Sequence, residues 1–137
     1  MTKYFTLVFF ILHASAYAYE GSPASQVDSF FSELSTGKTQ SAIENLYASN
    51  PAMKQKAQDL AILTRQIGTV SAIYGALMAS EKITEENISP SIVRIVMVAK
   101  HELHPVIWEF YFYRPKKEWI ISQALFVDQF QVIGSRK

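Results

Sequence analysis

The stretch that decides the fold runs from Ser91 to Ile133: SIVRIVMVAK (91–100), HELHPVIWEF (101–110), YFYRPKKEWI (111–120), ISQALFVDQF (121–130) and QVI (131–133). It reads as three consecutive β-strands, Ile92 to His101, His104 to Arg114 and Trp119 to Ile133. Each is dense in β-branched and aromatic residues, and short polar turns divide them. Side chains alternate along an extended chain, so Trp108, Phe110 and Phe112 share one face while Glu109, Tyr111 and Tyr113 share the other. In the strand before, Val93, Ile95, Met97 and Ala99 form an apolar row opposite Arg94 and Lys100. A sheet with one dry face needs a cover, and the first half of the chain is what can supply it.

That first half reads as helical. Ser22-Pro23 sets a capping hydroxyl before a proline at the first helical position, where the missing N–H costs nothing. Val27, Phe30, Phe31 and Leu34 then recur at three- and four-residue spacing, and Gly37 is placed to end the helix in a left-handed conformation. Ser41 with Glu44 forms the pattern of a capping box for a short second helix carrying Ile43, Leu46 and Tyr47. Asn50-Pro51 opens a third, with Met53, Ala57, Leu60, Ala61 and Ile67 inward and Gly68 as its stop. From Val70 to Ile83 the period shortens towards two, predicting a strand with Ile73, Gly75, Leu77 and Ala79 opposite Tyr74, Ala76, Met78 and Ser80. The competing reading extends the helix through Ala72 to Glu81, since Ala, Leu, Met and Glu all favour helix. Glu85-Glu86-Asn87 and Ser89-Pro90 mark the turn into the next strand, so the first two strands form a hairpin.

The chain has 137 residues, no cysteine, 13 basic and 12 acidic side chains, and a formal charge of +1. Its first eighteen residues stand apart. Lys3 gives a positive start, Phe5 to Leu12 is an unbroken apolar run, and Ala16-Tyr17-Ala18 has the small-x-small form of a cleavage site. The run is about half the ~20 residues a membrane span needs. Residues 1–18 are therefore read as a signal peptide, with an exported chain beginning at Tyr19, periplasmic or secreted, and no membrane span after signal removal. The remainder, 19–137, is expected to be one domain. Losing Lys3 balances bases against acids, and the longest basic run is Lys116-Lys117. This is not the field of a nucleic-acid binder, and no nucleic-acid partner is expected. Without cysteines, stability has to come from burial.

Three amphipathic helices followed by an antiparallel meander with an aromatic face give an α+β layout. Gln66-Ile67-Gly68, Tyr74-Gly75, the run Trp108-Glu109-Phe110-Tyr111-Phe112-Tyr113-Arg114-Pro115, Trp119 and Asp128 together resemble small exported members of the NTF2-like superfamily. The resemblance covers nearly all of the chain after the leader and implies N-terminal helices packed on a curved sheet to enclose a conical pocket. In some members that pocket is an active site, in others it binds a ligand or a partner, so fold alone does not choose.

The candidates for chemistry are few. His101-Glu102-Leu103-His104 departs from the zinc-protease pattern because its histidines lie three apart across a predicted turn. It reads as a solvated hairpin turn, and neither a metal nor any other cofactor is expected. Glu109 and Asp128 are the candidates for general bases of the kind used by NTF2-like steroid isomerases and cyclases. Glu109 has the parity of Tyr111, which turns it from the pocket. If Lys116-Lys117 is a two-residue turn, paired residue numbers add to 233 and Asp128 shares the Glu109 face, so no catalytic residue is assigned. The same register puts Trp119, Ile121, Gln123 and Leu125 on the covered face. The expected ligand-binding residues are Tyr74, Trp108, Phe110, Phe112 and, as the inward amide, Gln123. A bulge would swap these faces.

The outer face would then hold Ile107, Glu109, Tyr111 and Tyr113 beside Ile120, Ser122, Ala124 and Phe126. That composition suits a subunit interface centred on Glu109, Tyr111, Tyr113 and Phe126, and NTF2-like domains commonly pair there. The alternative is that the segment after Asp128 folds back over it. The leading expectation is an exported, non-catalytic binding domain for a small apolar ligand or a protein partner, with a homodimer through the outer sheet face. An acid/base enzyme and an assembly subunit of an envelope complex are the alternatives.

Overall fold

The computed structural model describes residues 21–129. The leader with its cleavage before Tyr19, the end of the expected last strand and the fold-back of the C-terminal segment lie outside the described residues. Three helices pack on a four-stranded antiparallel sheet that does not close, an α+β architecture in which the helices come first and the four strands follow, each paired with the next in sequence.

Helix α1, Pro23–Ser35, starts where Ser22 Oγ accepts from the Ser25 amide at 3.2 Å, with Pro23 in its first turn. Val27, Phe30, Phe31 and Leu34 are all buried, and Gly37 follows the helix with φ of +77°. Helix α2, Thr39–Tyr47, begins before Ser41, so the expected capping box does not form. The Ser41 hydroxyl instead donates to Glu33 of α1, as does Asn45 Nδ2, while Glu44 accepts from Gln40. These donors, Ser41 first and then Asn45, hold the Glu33 carboxyl below its ordinary pKa.

Asn50 caps the following segment as expected, its side chain accepting from the Ala52 amide at 3.0 Å. Pro51–Lys56 is 3-10, and α3 proper runs Ala57–Tyr74. The chain passes straight through Gly68, which corrects both the expected stop and the expected strand from Val70. A mid-helix glycine is unfavourable by only about 1 kcal/mol relative to alanine, and at Gly68 nothing demands a left-handed backbone. Gly75 meets that demand instead, with φ of +84°, and any side chain there would collide with the Glu102 carboxylate.

Strand β1, Leu77–Ser89, pairs with β2, Ile92–His101, through a tight turn at Pro90-Ser91. Its register shifts three times, skipping Met78, Ile83 and Ile88. Such bulges coil an edge strand and blunt it against further pairing. Strands β2 and β3 (Pro105–Tyr113) pair without interruption from Ile92↔Tyr113 to Lys100↔Pro105. Strand β4, Ile120–Val127, starts in the expected register at Tyr113↔Ile120 and Phe112↔Ile121 and then slips, so that Tyr111 pairs with Gln123 and Phe110 with Ala124. Ser122 is the extra residue.

The slip is held from the helical side. Ser49 Oγ accepts from the Ile121 amide at 3.1 Å, Asn50 Nδ2 donates to the Ile121 carbonyl at 2.7 Å, and the Tyr47 hydroxyl accepts from the Ala124 amide at 3.1 Å. Backbone groups on the free edge of β4 thereby find side-chain partners, which protects that edge as well. The core lies between α1, α2 and the inner face of the sheet, where Phe30 meets Trp108 and Phe110 edge-on at 5.1 and 5.6 Å between ring centres.

Candidate functional site

The expected pocket residues Trp108, Phe110 and Phe112 do share a face, but as packed core. Trp108 is 2% exposed and the two phenylalanines 0%, with Phe30 and Phe31 of α1 against Trp108 and Phe110. Close-packed aromatic rings of this kind leave no room for a ligand unless α1 lifts away. Tyr74 is not among them. It sits at the end of α3, donates its hydroxyl to Asp128 Oδ2 at 2.7 Å and stacks its ring on His104 at 4.7 Å. That hydrogen bond is the main reason the Tyr74 hydroxyl holds its proton above the ordinary pKa.

The bulge at Ser122 corrects the expected faces of β4. Gln123 and Leu125 lie on the outer face and are exposed, while Ala124 and Phe126 turn inward, with Phe126 packed on Trp108 at 4.8 Å. Gln123 is therefore not an inward amide, and Phe126 is not an outer-face anchor. Gln26 of α1 is the buried amide instead, donating to the Gly21 and Trp119 carbonyls.

The His101-to-His104 stretch is a hairpin turn that ties the sheet to the end of α3. His101 Nδ1–H donates to the Gly75 carbonyl at 2.9 Å, Glu102 accepts from the Ala76 amide at 3.2 Å, and His104 Nε2–H donates to the Asp128 carbonyl at 2.7 Å. Among the described residues, no group of three or more acids or histidines is arranged to hold a metal ion.

The open feature is a cleft of about 780 Å³ on the outer face. Val96 of β2 and Ile107 of β3 form its floor, each 2% exposed. Ile83 and Thr84 of β1, Leu125 and Val127 of β4 and Val70 of α3 line its sides. One part of the lining is an ion-pair network. Arg94 Nε donates to Glu109 Oε2 at 3.1 Å, Arg94 Nη1 donates to Glu86 Oε2 at 3.2 Å, and the Tyr111 hydroxyl donates to the same Glu109 oxygen at 2.9 Å. Burial alone would lower the Arg94 pKa, but Glu109 first, then Glu86 and Tyr111, outweigh it and hold the guanidinium above its usual value. Asp128 and Phe126 also line the cleft.

Of the expected interface residues, Glu109 and Tyr111 meet in this network, and Tyr113 is exposed at the end of β3. Arg94 and Glu86 were missed as site residues. The only signal for Arg94 was its place opposite the Val93 row; Glu86 becomes its neighbour through the β1–β2 register. A second cleft, about 650 Å³, lies between α2 and α3 over Ile43, Tyr47, Met53 and Leu60. No helix among the described residues is long and apolar enough to cross a membrane. Compared with protein-family models, with curated proteins and with solved structures, the chain matches none.

Proposed function

We propose that the chain is an exported, non-catalytic binding domain of NTF2-like type whose outer-face cleft takes a small, largely apolar ligand. The observation that carries this is the contrast between a sealed inner face and an outer cleft with a buried apolar floor, Val96 and Ile107. Its volume falls in the usual range for small-molecule sites, and its mix of apolar lining with a few fixed polar groups is the usual composition. The charges are committed to one another, which suits orienting a ligand more than moving a proton. Export rests on the leader read in residues 1–18, and the exported chain carries no role in nucleic-acid binding.

The test is titration of the purified exported chain with the neutral apolar dye N-phenyl-1-naphthylamine. Saturable one-to-one binding is expected, weakened about tenfold by Leu125→Glu, which puts a charge on the exposed cleft wall. Absence of saturable binding by the wild type overturns the reading.

Two other readings attach to the same face. Exposed Tyr113, Leu125 and Val127 on it favour a homodimer, which sedimentation at micromolar concentration would show directly. The presence of Glu109 in the cleft favours an acid/base enzyme, and loss of a measured turnover in Glu109→Gln at unchanged ligand affinity would establish it.

A further inference from the structure

We infer that the ligand of the outer-face cleft is a small cationic amphiphile, an alkyl body bearing an ammonium group, with the cation seated at the Asp128 end. This rests on the reading of the cleft as a ligand site and adds the ligand's chemistry to it.

The charges lining the cleft decide its sign. Among the described residues they are the carboxylates of Glu86, Glu109 and Asp128 against one guanidinium, Arg94. Arg94 is already bonded to two of those carboxylates, through Nε to Glu109 and through Nη1 to Glu86. An incoming anion would thus meet an excess of negative charge and a cation bound to its own partners, which selects against anionic amphiphiles.

Asp128 supplies the attractive counterpart. It stands at the other limit of the cleft, where β4 ends, and is exposed. Its carboxylate is positioned through Oδ2 by the Tyr74 hydroxyl, which in turn is stacked on His104. An exposed carboxylate held in place at the end of an apolar recess recognises an ammonium group by charge and by charge-assisted hydrogen bonding. The apolar floor of Val96 and Ile107 then takes the alkyl body. A concavity of about 780 Å³ fits a small molecule better than the flat contact of a protein partner.

Isothermal titration of the full exported chain at pH 7 and low salt, with octylammonium, 1-octanol and octanoate as probes of equal chain length, tests this. Octylammonium is expected to bind about tenfold tighter than octanoate, with octanol between them, and added salt is expected to narrow the gap. Asp128→Asn keeps an acceptor for Tyr74, so it is expected to remove most of that preference while leaving octanol's affinity within about twofold. Octanoate binding as tightly as octylammonium would overturn the inference and leave the ligand site standing, whereas failure of all three probes would overturn both. A preference that survives Asp128→Asn would remove the cation from this end. A dimer that octylammonium does not dissociate, but that Leu125→Glu splits, would assign the face to a second copy.

Discussion

On the inner face of the sheet, ten residues from β2, β3 and β4 meet two helices, and every one of them is buried. On the outer face the same strands carry Val96 and Ile107 in a cleft, a chain of charges through Glu86, Arg94 and Glu109, and the exposed Leu125 and Val127. Alternation along the strands makes both faces at once, so the difference lies in what covers each. Helix α1 presents two rings, Phe30 and Phe31, that interlock with Trp108 and Phe110, and packing of this kind stabilises without offering a site. The outer face keeps its polar groups satisfied by cross-strand pairing, which preserves a recess that can be filled from outside.

The contrast breaks most clearly at Trp108. Trp108→Ala is expected to cost about 3 to 5 kcal/mol in urea unfolding, as large aromatic truncations in cores do. A loss under about 1 kcal/mol would show that the inner face is not sealed. The face assignment of β4 sharpens next. Ala124→Asp buries a charge on the inner side and is expected to cost about 2 to 3 kcal/mol, while Gln123→Asp, one residue away on the outer side, stays within about 0.5 kcal/mol. Equal effects at the two positions would remove the bulge.

For the charge network, Arg94→Met leaves Glu109 and Glu86 without their shared cation, and a loss of about 1 to 2 kcal/mol is expected. The double variant Arg94→Met, Glu109→Gln should recover part of that loss, because the uncompensated carboxylate is then gone. The smallest effect belongs to Glu33 on the helical side. Its folded pKa lies below the ordinary 4.5, so its contribution is complete above that value and disappears as pH falls through the lower folded one. The unfolding midpoints of wild type and Glu33→Gln are expected to differ at neutral pH and to converge in acid.

Much of this was legible in the sequence, and the reasons are local. Strands β2 and β3 alternate without a break, and the aromatic row of β3 opposite the Val93 row identifies the buried face by parity alone. Ser22-Pro23 and Asn50-Pro51 mark starts because capping is chemistry between near neighbours. Gly68 and Gly75 were confused because a glycine that must be glycine and one that need not be look alike until the neighbouring Glu102 is in place. The slip at Ser122 had no local signal at all, since Tyr47, Ser49 and Asn50, more than seventy residues away, hold it. The site suffered most from this, because one residue of offset exchanged Gln123 and Leu125 for Ala124 and Phe126.

That single extra residue also makes the outer face unusually open to change. If Tyr47, Ser49 and Asn50 lost their hold, Ser122 could pair with Tyr111 and bring the rest of β4 into step with β3, sending Ala124 and Phe126 outward and Gln123 and Leu125 against Phe110 and Trp108. Substitutions at those three helical-side residues would thus rewrite a whole wall of the cleft, while all four strands kept their sequence. Strand β4 is the place where a family of such chains can diverge in what it binds without first redesigning what it is.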